Sequence, residues 1–242
     1  MSRQILHIDR VSKHFGGNIA VSDVSFSVEE KQIFGLIGPN GAGKTTLFNC
    51  ISGYYDVTSG KIVFNGSNIN NRRPDQVCRL GMARTWQRVK PLCNLTVLEN
   101  VMVGAFAVTS ATGKAETMAM QQLHAVGLDD YAEKPAGSLP IGLKKKLELA
   151  RVMATRPKIL LLDEICGGLN HTETGALLEI IRTLRTNGMT IVFIEHDMKA
   201  VTSICDRIIV LNSGIKLAEG TPEEVTSNPD VIAAYLGGSH HA

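Results

Sequence analysis

The stretch "GLIGPNGAGKTT" sets Gly38, Gly43, Lys44 and Thr45 in the spacing G-x-x-x-x-G-K-T. Those residue types suit the holding of a phosphate chain. Glycines let successive backbone N–H groups converge on anionic oxygens. A helix opening at the lysine turns the positive end of its dipole toward them. Lys44 reaches the outer phosphates, and the Thr45 hydroxyl can ligand Mg2+. Two carboxylates, Asp163 and Glu164, end the apolar run "KILLLDE". Asp163 would hold Mg2+ through water. Glu164 would orient the attacking water or take its proton, general-base help being worth about 100- to 10,000-fold.

Three further residues have two readings each. His196 follows "TIVFIE" and can hydrogen-bond a transferring phosphate; it can equally cap the helix that "HDMKA" begins. Gln87, in "ARTWQ", is a neutral amide able to contact both metal and water, or an ordinary loop glutamine. Phe15, in "KHFGG", can stack on adenine, or it is a core aromatic.

The elements that must position these residues are legible from periodicity. "QIFGLIG", "KILLLDE" and "MTIVFIEH" read as short buried strands, and "TETGALLEIIRTLRTNG", closed by Gly188, as a helix between the last two. Strand–helix–strand order implies a parallel sheet covered on both faces. Ligands of such sheets sit at the carboxyl edge, where Asp163, Glu164 and His196 fall. Upstream, "QILHIDRVSKHF" and "AVSDVSFSV" read as strands, and "KIVFNG" ends in an Asn65–Gly66 hairpin turn. "RRPDQVCRLG" reads as a short helix with Pro74 at its start and Gly81 at its end. Between them and "KILLLDE", the segments "LTVLENVMVGAFAV", "KAETMAMQQLHAVGL" and "IGLKKKLELARVMAT" all have helical spacing. In the last of these, Leu143, Leu147, Ala150 and Ala154 share one face. "DRIIVLNSGIKLAEG" reads as a hairpin, and "TPEE" as a helix start with Thr221 as cap, Pro222 first and Glu224 closing a capping box.

Composition narrows the class. The 242 residues are 44% hydrophobic with a net charge of +2, which suits one large domain and gives no strong preference for nucleic acid. No apolar run approaches the roughly eighteen residues of a membrane span, and "MSRQILHIDR" has no signal-peptide core. Five scattered cysteines without a CxxC pair point to reduced thiols rather than a disulfide or zinc framework. A cytosolic chain is expected, free to dock on a membrane protein.

The order of these motifs resembles that of ABC transporter ATPase subunits over essentially the whole chain. The resemblance implies an α/β fold: a P-loop NTPase core of ABC type with a parallel central sheet, an N-terminal antiparallel β subdomain and an inserted α-helical subdomain. A single ABC ATPase domain would span residues 1–242, with the core at about 1–94 and 156–242 and the helical subdomain at about 95–155. Phe15 looks like the adenine platform. Gly38 to Thr46, including Asn40, Gly41 and Thr46, resembles the Walker A loop. Gln87 resembles the Q-loop glutamine, touching metal and water. Asp163 and Glu164 resemble the Walker B aspartate and the catalytic glutamate, Asn170 in "GGLNH" the D-loop, and His196 the switch histidine. The implied cofactors are ATP and Mg2+. Two such domains pair head to tail in this family, so the signature region, Ser138 to Leu143, would serve the partner's ATP through Leu139 and Gly142.

Finer resemblance points to one branch. "FGGNIAVSDVSF", "ARTWQ", "LTVLENVMVG", "GLNHTET", "IEHDM" and "GTPEEVTSNPDVIAAYLG" are similar to the ATPase subunits of branched-chain amino acid importers. That resemblance implies two integral membrane permease subunits, a second ATPase subunit in a heterodimer (a homodimer being the alternative), a substrate-binding protein, and a peripheral place on the cytoplasmic face. Importers of urea, amides or aromatic acids share the pattern. The alternative is a soluble non-transport ABC ATPase of repair or translation; such proteins usually carry coiled-coil insertions or two ATPase units, and neither is visible.

The chain departs from the family in places. Ile165 stands where a proline commonly follows the glutamate, and Asn170 where many relatives have aspartate. Of Leu-Ser-Gly-Gly-Gln, only Leu139 and Gly142 remain, with Pro140 in place of the serine. Proline is tolerated in a first helical turn. The expectation is a correctly aimed helix that lacks one hydroxyl, with Ser138 as a possible substitute. Lys144 to Lys146 read as a solvated face rather than a source of positive potential near the phosphates, Trp86 as core packing rather than a brace for its loop, and Arg88 to Leu92 as the permease-facing stretch.

Overall fold

The structure is a computed structural model that describes residues 3–87 and 90–236. Two long antiparallel strands open the chain, β1 (Gln4–Phe15) and β2 (Asn18–Glu29). β3 (Ile33–Ile37) runs into α1 (Lys44–Ile51). β4 (Ser59–Phe64) and β5 (Ser67–Asn68) form the expected hairpin, with Asn65 and Gly66 both at positive φ, as a type I′ turn requires. α2 (Pro74–Arg79) has Pro74 at its first turn, and β6 (Met82–Arg84) follows.

Three helices come next in the chain: α3 (Val97–Ala105), α4 (Thr112–Val126) and α5 (Ile141–Met153). They pack on one another between β6 and β7 (Ile159–Asp163). α6 (His171–Thr186) connects β7 to β8 (Thr190–Ile194), and α7 (Met198–Ile204) connects β8 to β9 (Arg207–Asn212). β10 (Ile215–Gly220) turns back on β9, and α8 (Pro222–Thr226) and α9 (Pro229–Leu236) complete the described chain. Capping boxes at Thr96/Glu99, Asn170/Glu173 and Thr221/Glu224 start α3, α6 and α8.

Among the described residues these strands make two sheets, ordered β2-β1-β4-β5 and β10-β9-β3-β8-β7-β6. The second is parallel except for β10 at its edge. All five residues of β3, β7 and β8 are buried, which explains their unbroken apolar sequences. Their side chains alternate between two cores. Leu160, Leu162, Ile191 and Phe193 meet the helices. Ile159, Leu161, Val192 and Ile194 meet α1 and the antiparallel sheet.

Two elements differ from the reading of the sequence. β6 has only three residues and is defined by its pairing with β7, Met82 against Ile159, so no local pattern announces it. Pro140 is the N-cap of α5 rather than a residue of its first turn, and its carbonyl accepts the Lys144 N–H at 3.0 Å.

The five cysteines are free thiols, and only Cys93 is exposed. Burial pushes the Cys50 thiol up to about 11, and raises Cys166 and Cys205 further. Brief maleimide treatment of the native chain near neutral pH is therefore expected to label Cys93 first and half-buried Cys78 slowly. Cys50, Cys166 and Cys205 should react only after denaturation, as peptide mass spectrometry would read.

Candidate functional site

Four adjacent parallel strands deliver the chemistry to one edge. In sheet order, β3 leads to the glycine loop, β8 to Glu195 and His196, β7 ends in Asp163 and Glu164, and β6 leads to Gln87. The glycine loop is pressed against its surroundings. Gly43 caps α1 at φ 94°, and a Cβ there would lie 2.4 Å from the Ala20 carbonyl. A Cβ on Gly38 would lie 2.1 Å from the Leu211 carbonyl. No other residue type fits either position.

Lys44 is buried and donates to the carbonyls of Gly38 at 2.7 Å and Pro39 at 3.0 Å. Burial lowers its pKa, while the Glu164 and Asp163 carboxylates pull the other way. A cleft of about 650 Å3 opens above the loop. Phe15, Asn40, Gly41, Gly43, Lys44, Thr45, Thr46, Gln87 and Glu164 line it, together as the sequence suggests. Asn18, Ile19, Ala20, Ser213 and Gly214 complete the wall and were not anticipated; their only local signal is turn chemistry in "FGGN" and "NSG". Phe15 is 42% exposed at the cleft, edge-on to Tyr55 at 5.2 Å, so it is not a core aromatic.

The carboxylates are held in different ways. Glu164 has a left-handed backbone, φ 45°, and its Oε2 accepts from Gln87 Nε2 at 2.6 Å. Asp163 is 2% exposed, and its Oδ2 accepts from Arg84 Nη2 at 2.6 Å. Arg84 also donates to Asn49 Oδ1 and Ser52 Oγ, and its guanidinium lies 4.5 Å from the Trp86 ring centroid. Burial raises the Asp163 pKa and Arg84 opposes the rise. Arg84 belongs to "ARTWQ", yet nothing local in the sequence assigns it this role.

His196 stands at the end of β8 with its side chain 62% exposed, outside the residues that line the cleft. It is not the helix cap: Asp197 accepts the Lys199 N–H at 2.8 Å and caps α7. Buried Glu195 accepts the Cys166 N–H at 2.7 Å, and burial raises its pKa. Trp86 is not core packing but 44% exposed, edge-on to Tyr54. The lysine run is not a uniform solvated face, because Lys145 is 2% exposed. The helical period turns its position toward Gln87.

The signature segment lies apart from this cleft. Gly142 lines a separate groove against α6, where a Cβ would come 2.7 Å from Glu173 Oε1. The Leu139 side chain is buried in the core. The Ser138 hydroxyl donates to the Pro135 carbonyl at 2.7 Å, so it does not stand in for the missing serine. Within Arg88 to Leu92, Arg88 and Val89 lie outside the described residues, while Lys90 and Leu92 are exposed.

The residues fit a bound nucleotide and Mg2+. The loop is a cradle that Cβ atoms would fill, with a lysine inside it. Thr45 and Asp163 offer hard oxygens, and Mg2+ needs only one or two from protein beside phosphates and water.

Comparison with known proteins agrees. The family model described as ABC transporter matches residues 21–167. A nucleotide-free ATP-binding cassette from an ABC transporter superposes with a TM-score of 0.88 at 29% identity, covering 96% of this chain and 99% of that one. A cassette solved in its ADP conformation gives 0.89 at 29% identity, covering 98% and 100%. The chain belongs to the ABC transporter family and is one of its ATP-hydrolysing cassettes. A second model, described as branched-chain amino acid ATP-binding cassette transporter, matches residues 216–241. Over 98% of its length the chain is 44% identical to the high-affinity branched-chain amino acid transport ATP-binding protein BraF of Pseudomonas aeruginosa, covering 99% of that protein. It is 42% identical to LivG of Escherichia coli, described in the same terms, with the same coverage. Its place is therefore in the branched-chain amino acid branch of the family.

Removing one partner of a buried ion pair costs about 3–5 kcal/mol, and Arg84→Met is expected to destabilise the chain by that amount at pH 8. Asp163, already raised by burial, would rise further without the guanidinium. Its charge is then unfavourable above the raised pKa and relieved as pH falls through it. The loss should shrink between pH 8 and pH 5, as urea denaturation at both pH values would show.

Proposed function

We infer that the chain energises an importer of branched-chain amino acids or related small polar solutes, as a peripheral subunit on the cytoplasmic face of the membrane. The observation that carries the transport assignment is the near full-length similarity to BraF and LivG, tail included. Among the described residues no helix is long and apolar enough to cross a membrane, so separate permease subunits would form the path. A substrate-binding protein would deliver the solute, and no nucleic acid is involved. One domain, with its core at about 1–94 and 156–242 and a helical part at about 95–155, would do this work.

The proposed chemistry follows from the side chains. Lys44 exchanges the Gly38 and Pro39 carbonyls for phosphate oxygens of ATP. Phe15 stacks on the adenine, and the N–H groups of the loop from Gly38 to Thr46 hold the phosphates. Thr45 would ligand Mg2+, with Asp163 and Gln87 held near it; the ion supplies neutralisation of phosphate charge. Glu164 takes the proton of the attacking water, and the Gln87 amide, bonded to it at 2.6 Å, orients both. His196, exposed on the adjoining strand end, reaches the transferring phosphate once the site closes.

Closure would come from a second ATPase subunit. The segment from Leu139 to Gly142 is separate from this chain's own cleft, which supports a role toward a partner's nucleotide. Its contribution is backbone N–H groups and a helix start, Leu139 acting only through its backbone. Pro140 offers no hydroxyl; a hydrogen bond to a charged group is worth about 1.5–3 kcal/mol. In a heterodimer the partner's site would be the weaker one.

Glu164→Gln is expected to abolish ATP turnover while leaving ATP binding intact, and full retained turnover would refute the base assignment. Pro140→Ser should add a helix cap of about 0.5–2 kcal/mol. It should also raise turnover at the partner's site by roughly tenfold or more. The assignment itself is tested by gentle affinity purification from native membranes. Permeases and a second ATPase in the eluate would support it, and recovery as a soluble protein without permeases would favour a non-transport role.

A further inference from the structure

We propose that Lys145 is a positioning residue for hydrolysis, tying the helix behind the signature to the backbone of Gln87 and Glu164. The proposal rests on the reading that Glu164 activates water. Lys145 lies on α5 and is 2% exposed. Its Nζ donates to the Glu164 carbonyl at 3.2 Å and to the Gln87 carbonyl at 3.4 Å. The side chains of those two residues bond each other at 2.6 Å. The three residues therefore close a ring, with one ammonium behind the pair that faces the cleft.

Burying a lysine is unfavourable unless the ammonium is compensated. Backbone carbonyls do so here, through charge-assisted bonds. One of them belongs to a residue that needs support. Glu164 holds a left-handed backbone uncommon for anything but glycine, asparagine or aspartate. Its N–H donates to Ile194 O at 2.9 Å, and its carbonyl also accepts the Gly167 N–H at 3.1 Å. Lys145 adds the bond that comes from α5.

Glu148 makes a second tie from the same helix. It sits one turn along α5, on the same face, and is also 2% exposed. Its Oε1 accepts the Trp86 N–H at 2.9 Å. The helix thus grips the Q-loop at consecutive residues, by the N–H of Trp86 and the carbonyl of Gln87. A rigid helix beginning at Ile141 and carrying Lys145 one turn later transmits a shift of its N-terminus to the catalytic pair. Contact between the signature and a partner's nucleotide would reach this chain's own Glu164 by that route.

The test uses Lys145→Met and Lys145→Arg in the full chain, assembled with its native membrane partners. K145M is expected to lower kcat about tenfold while ATP affinity changes by less than about twofold, the signature of a role confined to the transition state. K145R should restore most of the turnover. Hydrogen exchange should quicken in peptides covering both 85–87 and 163–169, with α6 unchanged. If K145M does not fold, Lys145→Gln keeps an uncharged N–H donor group and should turn over more slowly than K145R, with ATP affinity unchanged. Normal turnover in K145M beside an inactive E164Q would overturn the proposal alone, as would ATP affinity falling in step with kcat. Full turnover in E164Q would overturn both the base assignment and this proposal.

Discussion

Parallel hydrogen bonding between β3, β8, β7 and β6 is the constraint on which the molecule depends. The register pairs Leu36 with Ile194, and Ile194 with Asp163, so three chain segments end level with one another. Strands are spaced about 4.8 Å apart, and three of them set the glycine loop, the histidine and the carboxylates side by side. The apolar layers on both faces keep that register from slipping, because a one-residue shift would turn each inward side chain to the opposite core. The geometry of the candidate site is a by-product of buried sheet geometry.

Around that edge the protein has placed several ionisable groups out of water. Lys44, Arg84, Asp163, Lys145, Glu148 and Glu195 are all shielded, and most of their polar atoms are engaged. Arg84 and Asp163 neutralise each other directly, whereas Lys44 and Lys145 rest on backbone carbonyls. The difference matters for what each can do. An ion paired with a carboxylate is fixed, while a lysine resting on carbonyls can be drawn off by a more negative ligand. Lys44 faces the cleft and has that freedom; Lys145 faces the protein and does not.

The loop at Gly38 to Thr46, the carboxylates and the strands that carry them were legible because each is written contiguously. Their spacing and apolar runs are local properties. The hairpin turns at Asn65–Gly66 and Ser213–Gly214 and the Thr221 capping box were legible for the same reason. Arg84 was not, since its partner Asp163 lies 79 positions away. Lys145 and Glu148 were hidden by their neighbours: three consecutive lysines look solvated, and only the packing of α5 on the Q-loop, 58 and 62 positions off, turns two of that helix's charges inward. The three-residue β6 exists only as a partner of β7. Leu139 shows the converse case, a motif position whose side chain the fold spends on its core.

Trp86 is the only tryptophan in the chain. It precedes Gln87, sits over the Arg84 guanidinium and meets Tyr54 edge-on, with nearly half its surface in solvent. An indole placed between a fixed cation and water emits light whose colour and yield depend on that balance. The native protein therefore carries a built-in optical reporter beside Gln87, at the edge of its parallel sheet. Its intrinsic fluorescence follows the Q-loop alone, with no other indole to dilute the signal and no label to disturb it.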